Sequence, residues 1–303
     1  MSRTTVIGTD ITAHVLQEVQ LGLAPDNEDA LARRAQAARR SRKIRVNTAR
    51  LATFVLFVGG WQWATTVKLL DPFFFGQPTG VVQSLIHWAR NGTAYGSLWE
   101  QIWVTMHEAL LGFGYGVGTG IVVGILLGQV PFLADVLGPY IKILNAIPRI
   151  VLGSIFVVWL GLGTTSKVAL ASVLVFFVVF FNAFQGVREV DSGLIANARI
   201  LGASRWQLVR HVVLPSALTW IIASLHVAFG FSVIGAIVGE FLGAQRGLGL
   251  VIATAQNNFD PNGVFAAMLI IGAIALTAEG LISALEHRLL AWRPKSTSTA
   301  NSN

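Results

Sequence analysis

Residues 194–220 have the sequence LIANARILGASRWQLVRHVVLPSALTW and form a polar, basic stretch between two long apolar segments. The pattern predicts two short helices separated at Gly202, with Ser204 as the N-cap of the second helix. Pro215 has no amide hydrogen to donate, so it suits the first turn of the apolar helix that follows. A membrane protein that keeps such a helical hairpin in a loop is expected to offer it to a partner, and a plain amphipathic connector is the alternative.

The composition indicates a membrane protein. Of the 303 residues 53% are hydrophobic and 12% are charged, whereas soluble domains carry roughly 25% charged residues. The net charge of +7 comes largely from basic residues in loops, which indicates orientation in a membrane rather than nucleic-acid binding. Cysteine is absent, so the sequence excludes disulfides and thiolate chemistry.

Six apolar segments are predicted to cross the membrane, because about 20 apolar residues in a helix span the hydrocarbon core. They lie at residues 51–67, 102–130, 137–162, 168–184, 215–242 and 263–285, and the third is expected to bend at Pro148. The predicted fold is therefore an all-α integral membrane protein with six transmembrane helices and a hairpin in one loop. No signal-peptide core precedes residue 51, so the first span is expected to be an uncleaved anchor.

Basic residues decide the predicted orientation. They crowd residues 33–50, ahead of the first span, and the positive-inside rule places this segment in the cytoplasm, beside anionic lipid. With six spans, both termini and the loop 185–214 are then cytoplasmic. The predicted organisation is a basic cytoplasmic tail (1–50), a six-span domain (51–293) and a disordered C-terminal tail (294–303). A regulatory contact of the basic tail with a partner is the alternative to simple anchoring.

Two groups of motifs carry a resemblance to a known family. Residues 198–215 follow the pattern A-R-x-L-G-A-S-R-W-Q-L-[VF]-R-x-V-V-L-P. Residues 139–148 and 159–167 follow P-x-x-x-x-L-x-x-I-P and W-x-G-x-G-x-x-S-K, and G-E … G-L-G and L-E-H-R … W occur at 239–249 and 285–292. Together these motifs closely resemble the permeases of bacterial ABC importers for nitrate, sulfonates, taurine and related solutes, over residues 75–293.

The resemblance assigns a role to the hairpin, which corresponds to the loop that couples the family's permeases to their ATPase subunits. The matching residues expected to make this contact are Ala198, Arg199, Leu201, Gly202, Ala203, Ser204, Trp206, Leu208 and Pro215. The chain departs from the family at Ala196, where the family has a glutamate. The frame of glycine turn, helix and proline is retained.

The resemblance also implies partners and a location. It implies two ABC ATPase subunits that use ATP and Mg²⁺, a second copy of this permease, and a periplasmic or lipid-anchored solute-binding protein. The location implied is the bacterial inner membrane. Alternating access would move a small anion of the nitrate, sulfonate or taurine type into the cytoplasm, and a riboflavin or pyrimidine-precursor solute is the alternative.

The motifs of several enzyme classes are missing from the sequence. It contains no G-x-x-x-x-G-K-[ST] sequence, no H-E-x-x-H sequence and no G-x-S-x-G sequence. We therefore predict no catalytic residue, no metal site and no cofactor in this chain, which is expected to be a transport subunit rather than an enzyme. A stand-alone secondary transporter or a membrane enzyme would need inverted repeats or convergent catalytic residues, and neither is evident.

Glycines recur every four residues along the second span. The stripe consists of Gly112, Gly116, Gly120, Gly124 and Gly128. This spacing lets the backbone of another helix approach closely. The sequence leaves open whether that helix belongs to the same bundle or to a second copy across a dimer seam.

Polar and aromatic side chains inside the spans are candidates for the solute pathway, because polar groups in lipid are costly unless they face protein or water. His226 lies near the middle of the fifth span and shares a helical face with Phe229. The predicted pathway residues are His226, Phe229, Ser232, Phe156 and Trp159. The alternatives are a histidine bonded to a neighbouring helix and aromatic side chains that only fill the bundle.

Charged residues near the span ends give further expectations. Lys167 is predicted in an outer loop, where it would add positive potential for an anionic solute. Glu108 and Glu240 are both predicted toward the outer face, but no pattern in the sequence brings them together. Glu279 is expected near the inner interface, with Arg288 as its partner.

Overall fold

The computed structural model describes residues 25–289, and within this range the chain folds into α-helices joined by short turns. The predicted all-α fold is confirmed for these residues. Residues 1–24 of the predicted basic tail and the whole predicted C-terminal tail, 294–303, lie outside the described residues. The chain divides after Leu69 into two compact units.

The helices of the described residues are numbered in chain order. They are α1 (Pro25–Thr66), α2 (Pro72–Phe75), α3 (Pro78–Asn91), α4 (Leu98–Gln129), α5 (Pro131–Ala146), α6 (Leu152–Leu160), α7 (Thr164–Arg188), α8 (Ser192–Ile200), α9 (Arg205–Leu208), α10 (Leu214–Leu242), α11 (Leu248–Asn257) and α12 (Pro261–Leu289). A short 3₁₀ turn, Arg149–Val151, precedes α6, and a π-helical segment, Val209–Val213, joins α9 to α10.

The first unit contains α1, a single helix of 42 residues. The predicted boundary between the tail and the first span, at residue 50, is not a break in this helix. The basic side chains from Arg39 to Arg50 are exposed, and so are the apolar side chains that follow, such as Phe54 and Phe57. Residues 51–66 thus form a continuous helix with an exposed apolar surface, as a segment in contact with lipid requires.

Four helices are long and apolar enough to cross a membrane, namely Leu98–Gln129, Thr164–Arg188, Trp206–Leu242 and Pro261–Ala284. A bent pair, Phe132–Ala146 and Arg149–Leu160, makes a fifth crossing if it is counted as one span. Among the described residues, the apolar end of α1 does not reach this threshold of length and hydropathy. The multi-pass character is confirmed, and the number six stays a prediction.

The third predicted span is broken where the sequence indicated. Helix α5 ends at Ala146, Pro148 is the N-cap of the 3₁₀ turn, and the two helical parts are inclined by 75°. Proline has no amide hydrogen to donate to the preceding helical turn, which explains the break. The predicted start near Leu137 was wrong, because α5 begins at Pro131, a residue suited to a first helical turn.

Helix α7 lies between α4 and α10 and forms the centre of the second unit. The buried apolar residues along α7 are Leu170, Ala171, Leu174, Val175, Phe177, Val179, Phe180, Ala183 and Val187. Val175 and Val179 pack with Ala228 of α10 and with Phe113 of α4. Burial of this surface against two neighbours makes α4, α7 and α10 the core of the bundle.

The glycine stripe of α4 faces α7 along its whole length. A Cβ atom at Gly116 would lie 2.6 Å from Val175 Cβ, and one at Gly124 would lie 2.7 Å from Ala183 Cβ and 2.8 Å from Phe180 O. These distances leave no room for a side chain. The glycine stripe of α4 therefore packs on α7 within one bundle, which is one of the two alternatives left open by the sequence.

Candidate functional site: a coupling hairpin and a buried polar cluster

The first helix of the hairpin, α8, ends in a complete Schellman motif. The Ala203 N–H donates to Ala198 O at 3.0 Å, and the Gly202 N–H donates to Arg199 O at 2.9 Å. Gly202 has φ +81°, the left-handed conformation that this motif needs at the residue after the helix cap. The predicted break at Gly202 is confirmed, and it follows from residues within a six-residue window.

The second helix begins with a capping box. The Gln207 N–H donates to Ser204 Oγ at 3.3 Å, and the Ser204 N–H donates to Gln207 Oε1 at 2.8 Å. These reciprocal bonds satisfy two backbone donors at the start of the helix, so Ser204 is the N-cap, as predicted. The chain then continues through the π-helical segment, whose last bond runs from the Leu214 N–H to Val209 O, into α10.

The turn of the hairpin exposes large apolar side chains. Ile200 and Leu201 are 83% and 86% exposed, and Trp206 is 69% exposed. Leu208, in contrast, is buried, so the structure does not present it for the predicted contact with a partner. Apolar side chains that project together from a polar loop are typical of a protein contact.

The five predicted pathway residues differ in their exposure. Phe229 is buried against the ring of Phe113, with centroids 5.6 Å apart, and the buried Ser232 donates a hydrogen bond to Phe229 O at 2.7 Å. Both residues are thus in contact with α4 or their own helix, and their part in a solute pathway stays a prediction. Phe156 is partly buried on α6, whereas Trp159 is 75% exposed near the end of that helix.

His226 contacts Glu279 on α12, a partner that the sequence did not indicate. Its Nδ1 atom lies 3.8 Å from Glu279 Oε1 on α12, a contact that becomes an ion pair when the imidazole is protonated. Glu279 was expected to pair with Arg288, whose side chain lies outside the described part of the chain. His226 is partly exposed and Glu279 is exposed, so this pair is accessible from the surface of the subunit.

A buried polar cluster lies at the end of α10 remote from the hairpin. Glu240 is fully buried, and its carboxylate accepts a hydrogen bond from Thr105 Oγ1 at 2.7 Å and from the Gly249 N–H at 2.7 Å. Thr105 Oγ1 also accepts from the Leu248 N–H at 2.9 Å, and Gln101 Oε1 accepts from the Gly247 N–H at 2.7 Å. Three consecutive amides at the start of α11 are thus bound by side chains of α4 and α10.

Glu108 and Lys167 extend this cluster. Both are buried, and the Lys167 ammonium interacts with the carboxylates of Glu108 and Glu240 while its Nζ donates to Leu162 O at 2.6 Å. Lys167 was predicted in an outer loop, and this prediction was wrong. It is a buried residue in the first turn of α7. Oε2 of Glu108 has no hydrogen-bond partner among the described residues, so the cluster does not satisfy every polar atom that it buries.

Sequence reasoning missed this cluster, although part of its signal is visible. Gln101, Thr105 and Glu108 recur at i, i+4 and i+7 and form a polar stripe along one face of an otherwise apolar helix. The other half of the cluster, Glu240 and Lys167, comes from helices more than 50 residues away in the sequence. Among the described residues no three histidine, cysteine, aspartate or glutamate side chains are grouped so that they could hold a metal ion.

Comparisons with known proteins agree with this architecture. The chain is 32% identical to the putative aliphatic sulfonates transport permease of Bacillus subtilis over 233 residues, 77% of this chain and 83% of that protein. It is 30% identical to the taurine transport permease of Escherichia coli over 81% of this chain and 90% of that protein. The riboflavin transport permease of Chloroflexus aurantiacus is 31% identical over 79% of this chain and 88% of its own length.

A solved structure shares the fold. An inward-facing structure of the MetNI methionine ABC transporter superposes with a TM-score of 0.51 at 21% identity, over 62% of this chain and 95% of that chain. Residues 116–291 match the family described as binding-protein-dependent transport system inner membrane component. This match covers α7, the hairpin, α10 and α11. The chain therefore belongs to the family of binding-protein-dependent transport system inner membrane components, the membrane permeases of ABC importers.

Proposed function

We propose that this permease works as one of two identical membrane subunits, driven by two ABC ATPase subunits that bind ATP and Mg²⁺ in the cytoplasm. The observation that carries the proposal is the hairpin α8–α9, where the large apolar side chains of Ile200, Leu201 and Trp206 are exposed and available for a contact. The hairpin continues through the π-helical segment into α10, so movement of a docked ATPase would tilt this helix directly. Alternating access requires only two packings of the bundle that differ by a few kcal/mol.

The solute we propose is an organic sulfonate or a similar small anion. Two of the relatives named above carry aliphatic sulfonates or taurine, which favours this class. The riboflavin permease is equally similar and supports riboflavin as the alternative solute. In both cases an extracytoplasmic binding protein would deliver the solute.

We propose that both termini and the hairpin face the cytoplasm. The support comes from charge: Arg39, Arg40, Arg42, Lys43 and Arg45 lie exposed on α1 just ahead of its apolar part. The positive-inside rule places such a segment in the cytoplasm, next to anionic headgroups.

Affinity purification of the tagged permease from its native membrane, followed by mass spectrometry, tests these proposals. We expect a P-loop ATPase to copurify, and the accompanying binding protein can then be screened against sulfonates and riboflavin by thermal shift. Recovery of the chain alone, in a form that moves solute in liposomes without ATP, would contradict the importer mechanism and indicate a secondary transporter.

Trp206→Ala is expected to weaken ATPase binding about 10- to 100-fold, because burial of a large apolar side chain contributes about 1.5–3 kcal/mol. The measurement is a titration of the detergent-solubilised permease with its ATPase. Trp103→Ala is the matched control, since Trp103 is similarly exposed but lies on α4. Equal affinities for the two variants would remove Trp206 from the contact.

His226→Ala is expected to change the KM or the maximal rate of uptake at least threefold, because the variant loses the partly exposed imidazole beside Glu279. The measurement is ATP-dependent uptake of radiolabelled solute at several concentrations. His107→Ala serves as the control, because His107 is exposed on α4 and only stacks on Trp103. An unchanged KM and rate for His226→Ala would show that this histidine has a structural role only.

A further inference from the structure

The amides that begin α11 have no acceptor within their own helix, because the first N–H groups of any helix lack an intrahelical partner. Here they are bound by side chains that come from two other helices. Gln101 and Thr105 of α4 bind the amides of Gly247 and Leu248, and Glu240 of α10 binds the amide of Gly249. Helix α11 is therefore capped from outside rather than by residues of its own loop.

The carboxylate of Glu240 is the centre of this arrangement. Thr105 Oγ1 lies within hydrogen-bond distance of both oxygens, at 2.7 and 3.0 Å, and Oε2 also accepts from the Gly249 N–H, so a single side chain connects α4, α10 and α11. The carboxyl group lies beside the N-terminus of α11, which carries the positive end of the helix dipole. Lys167 of α7 adds a positive charge nearby.

The backbone of α11 approaches α10 so closely that the contact requires glycine. A Cβ atom at Gly249 would lie 2.6 Å from Glu240 Cβ, and one at Gly247 would lie 2.6 Å from Glu240 Oε2. Gly247 also has φ +112°, a conformation that residues with side chains rarely adopt. The glycines of the G-L-G motif thus serve the contact with Glu240.

Glu240 and the hairpin lie at opposite ends of one helix. From Leu214 to Glu240 helix α10 is continuous, and this length corresponds to about 40 Å along the helix axis. Any tilt imposed on α10 at the hairpin is therefore delivered at the far end to the cluster that holds α11.

We propose that Glu240 is a positioning residue that joins α11 to the ends of α4 and α10, so that these three helix ends move as one body during transport. The inference rests on the proposed ATP-driven transport function. We call the hydrogen bonds of Glu240 with Thr105 and Gly249 the joint. Without this joint, α10 would move at the hairpin without carrying α11, and ATP hydrolysis would no longer be matched to solute movement. Two experiments test this coupling between the hairpin and the far end of α10 directly.

The first experiment measures structure rather than transport. Hydrogen–deuterium exchange is recorded on the assembled transporter in lipid discs, for the wild type and for Glu240→Ala, Glu240→Gln and Thr105→Val. Amide exchange reports local opening of a helix. We expect at least tenfold faster exchange at residues 247–250 in Glu240→Ala and Thr105→Val, with α7 unchanged. Protection equal to wild type in both variants would overturn the proposed joint.

Glutamine at 240 is the conservative test of the hydrogen bonds. Its amide oxygen can accept from the Gly249 N–H, and its NH₂ group can donate to Thr105 Oγ1 if the hydroxyl turns toward Gln101 O, which lies 3.2 Å away. We expect Glu240→Gln to keep protection within threefold of wild type. A glutamine variant that assembles normally but exchanges as fast as the alanine variant would contradict the hydrogen-bonded joint.

The second experiment compares ATP hydrolysis with solute uptake in proteoliposomes. Relative to wild type, Glu240→Ala is expected to hydrolyse at least tenfold more ATP per solute molecule, and Glu240→Gln no more than threefold more. Glu100→Gln is the matched control, because Glu100 makes an exposed ion pair with Arg246 at 2.6 Å just outside the cluster. Thr105→Val replaces the alanine variant if the latter does not assemble.

These outcomes separate the joint from the proposed transport function. Absence of ATP-dependent uptake in the wild type would contradict the proposed function, whereas the exchange experiment would still decide whether Glu240 holds α11. Normal coupling in Glu240→Ala and Thr105→Val, in a wild type that transports, would overturn the joint alone.

Discussion

Gly202→Pro is expected to abolish solute uptake while the permease still inserts into the membrane. Gly202 has φ +81°, whereas the proline ring holds φ at about −65°. The substitution also removes the N–H that donates to Arg199 O in the Schellman motif. The turn that presents Leu201 and Trp206 would therefore be misformed, and we expect ATP hydrolysis in the assembled complex to lose its stimulation by solute-loaded binding protein.

Gly202→Ala is the matched control for this prediction. No atom lies within 4 Å of the Cβ that alanine would add, so only the backbone conformation is strained. The left-handed conformation costs a residue with a side chain about 1–2 kcal/mol. We expect uptake to fall only a few-fold, and normal transport by the proline variant would refute the assignment of the hairpin to coupling.

Gly116→Ala is expected to destabilise the folded subunit by about 1–3 kcal/mol, the usual cost of adding a methyl group to a packed interior. The added Cβ would lie 2.6 Å from Val175 Cβ and 2.7 Å from Ser172 O, so α4 and α7 would have to separate. The measurement is reversible unfolding of the purified subunit in mixed micelles, followed by circular dichroism.

Gly118→Ala provides the comparison on the same helix. Gly118 is exposed, and no atom lies within 4 Å of the Cβ that alanine would add. Alanine is the better helix former by about 0.5–1 kcal/mol, so this variant should be as stable as wild type or slightly more stable. If both variants were equally stable, close packing of the glycine stripe on α7 would be disproved.

The features predicted correctly are those that neighbouring residues decide. The turn at Gly202 and the cap at Ser204 depend on hydrogen bonds between residues at most five positions apart. The bend at Pro148 follows from one missing amide hydrogen. The hydropathy of the long segments placed α4, α7, α10 and α12 correctly, because a helix in lipid must satisfy its own backbone hydrogen bonds.

The features that were missed depend on which helices meet. The spacing of the glycines in α4 predicted a close helix contact, but not that the contacting helix is α7 rather than a second copy. Leu208 was expected to contact the ATPase, but it is buried, and burial depends on neighbours that the sequence does not identify. The start of α5 at Pro131 is different, because the proline is a local signal for a first helical turn and the prediction from apolar periodicity did not use it.

The sequence by itself therefore determined the class of the protein, the positions of its apolar helices and the local design of the hairpin, because hydropathy, turns and caps are set by residues close in the chain. Only the tertiary structure decided that Glu108, Lys167 and Glu240 share one buried cluster and that Glu240 caps α11. The physical reason is that isolated ionisable groups in lipid are costly, and only the packing of α4, α7 and α10 brings these three together inside the protein.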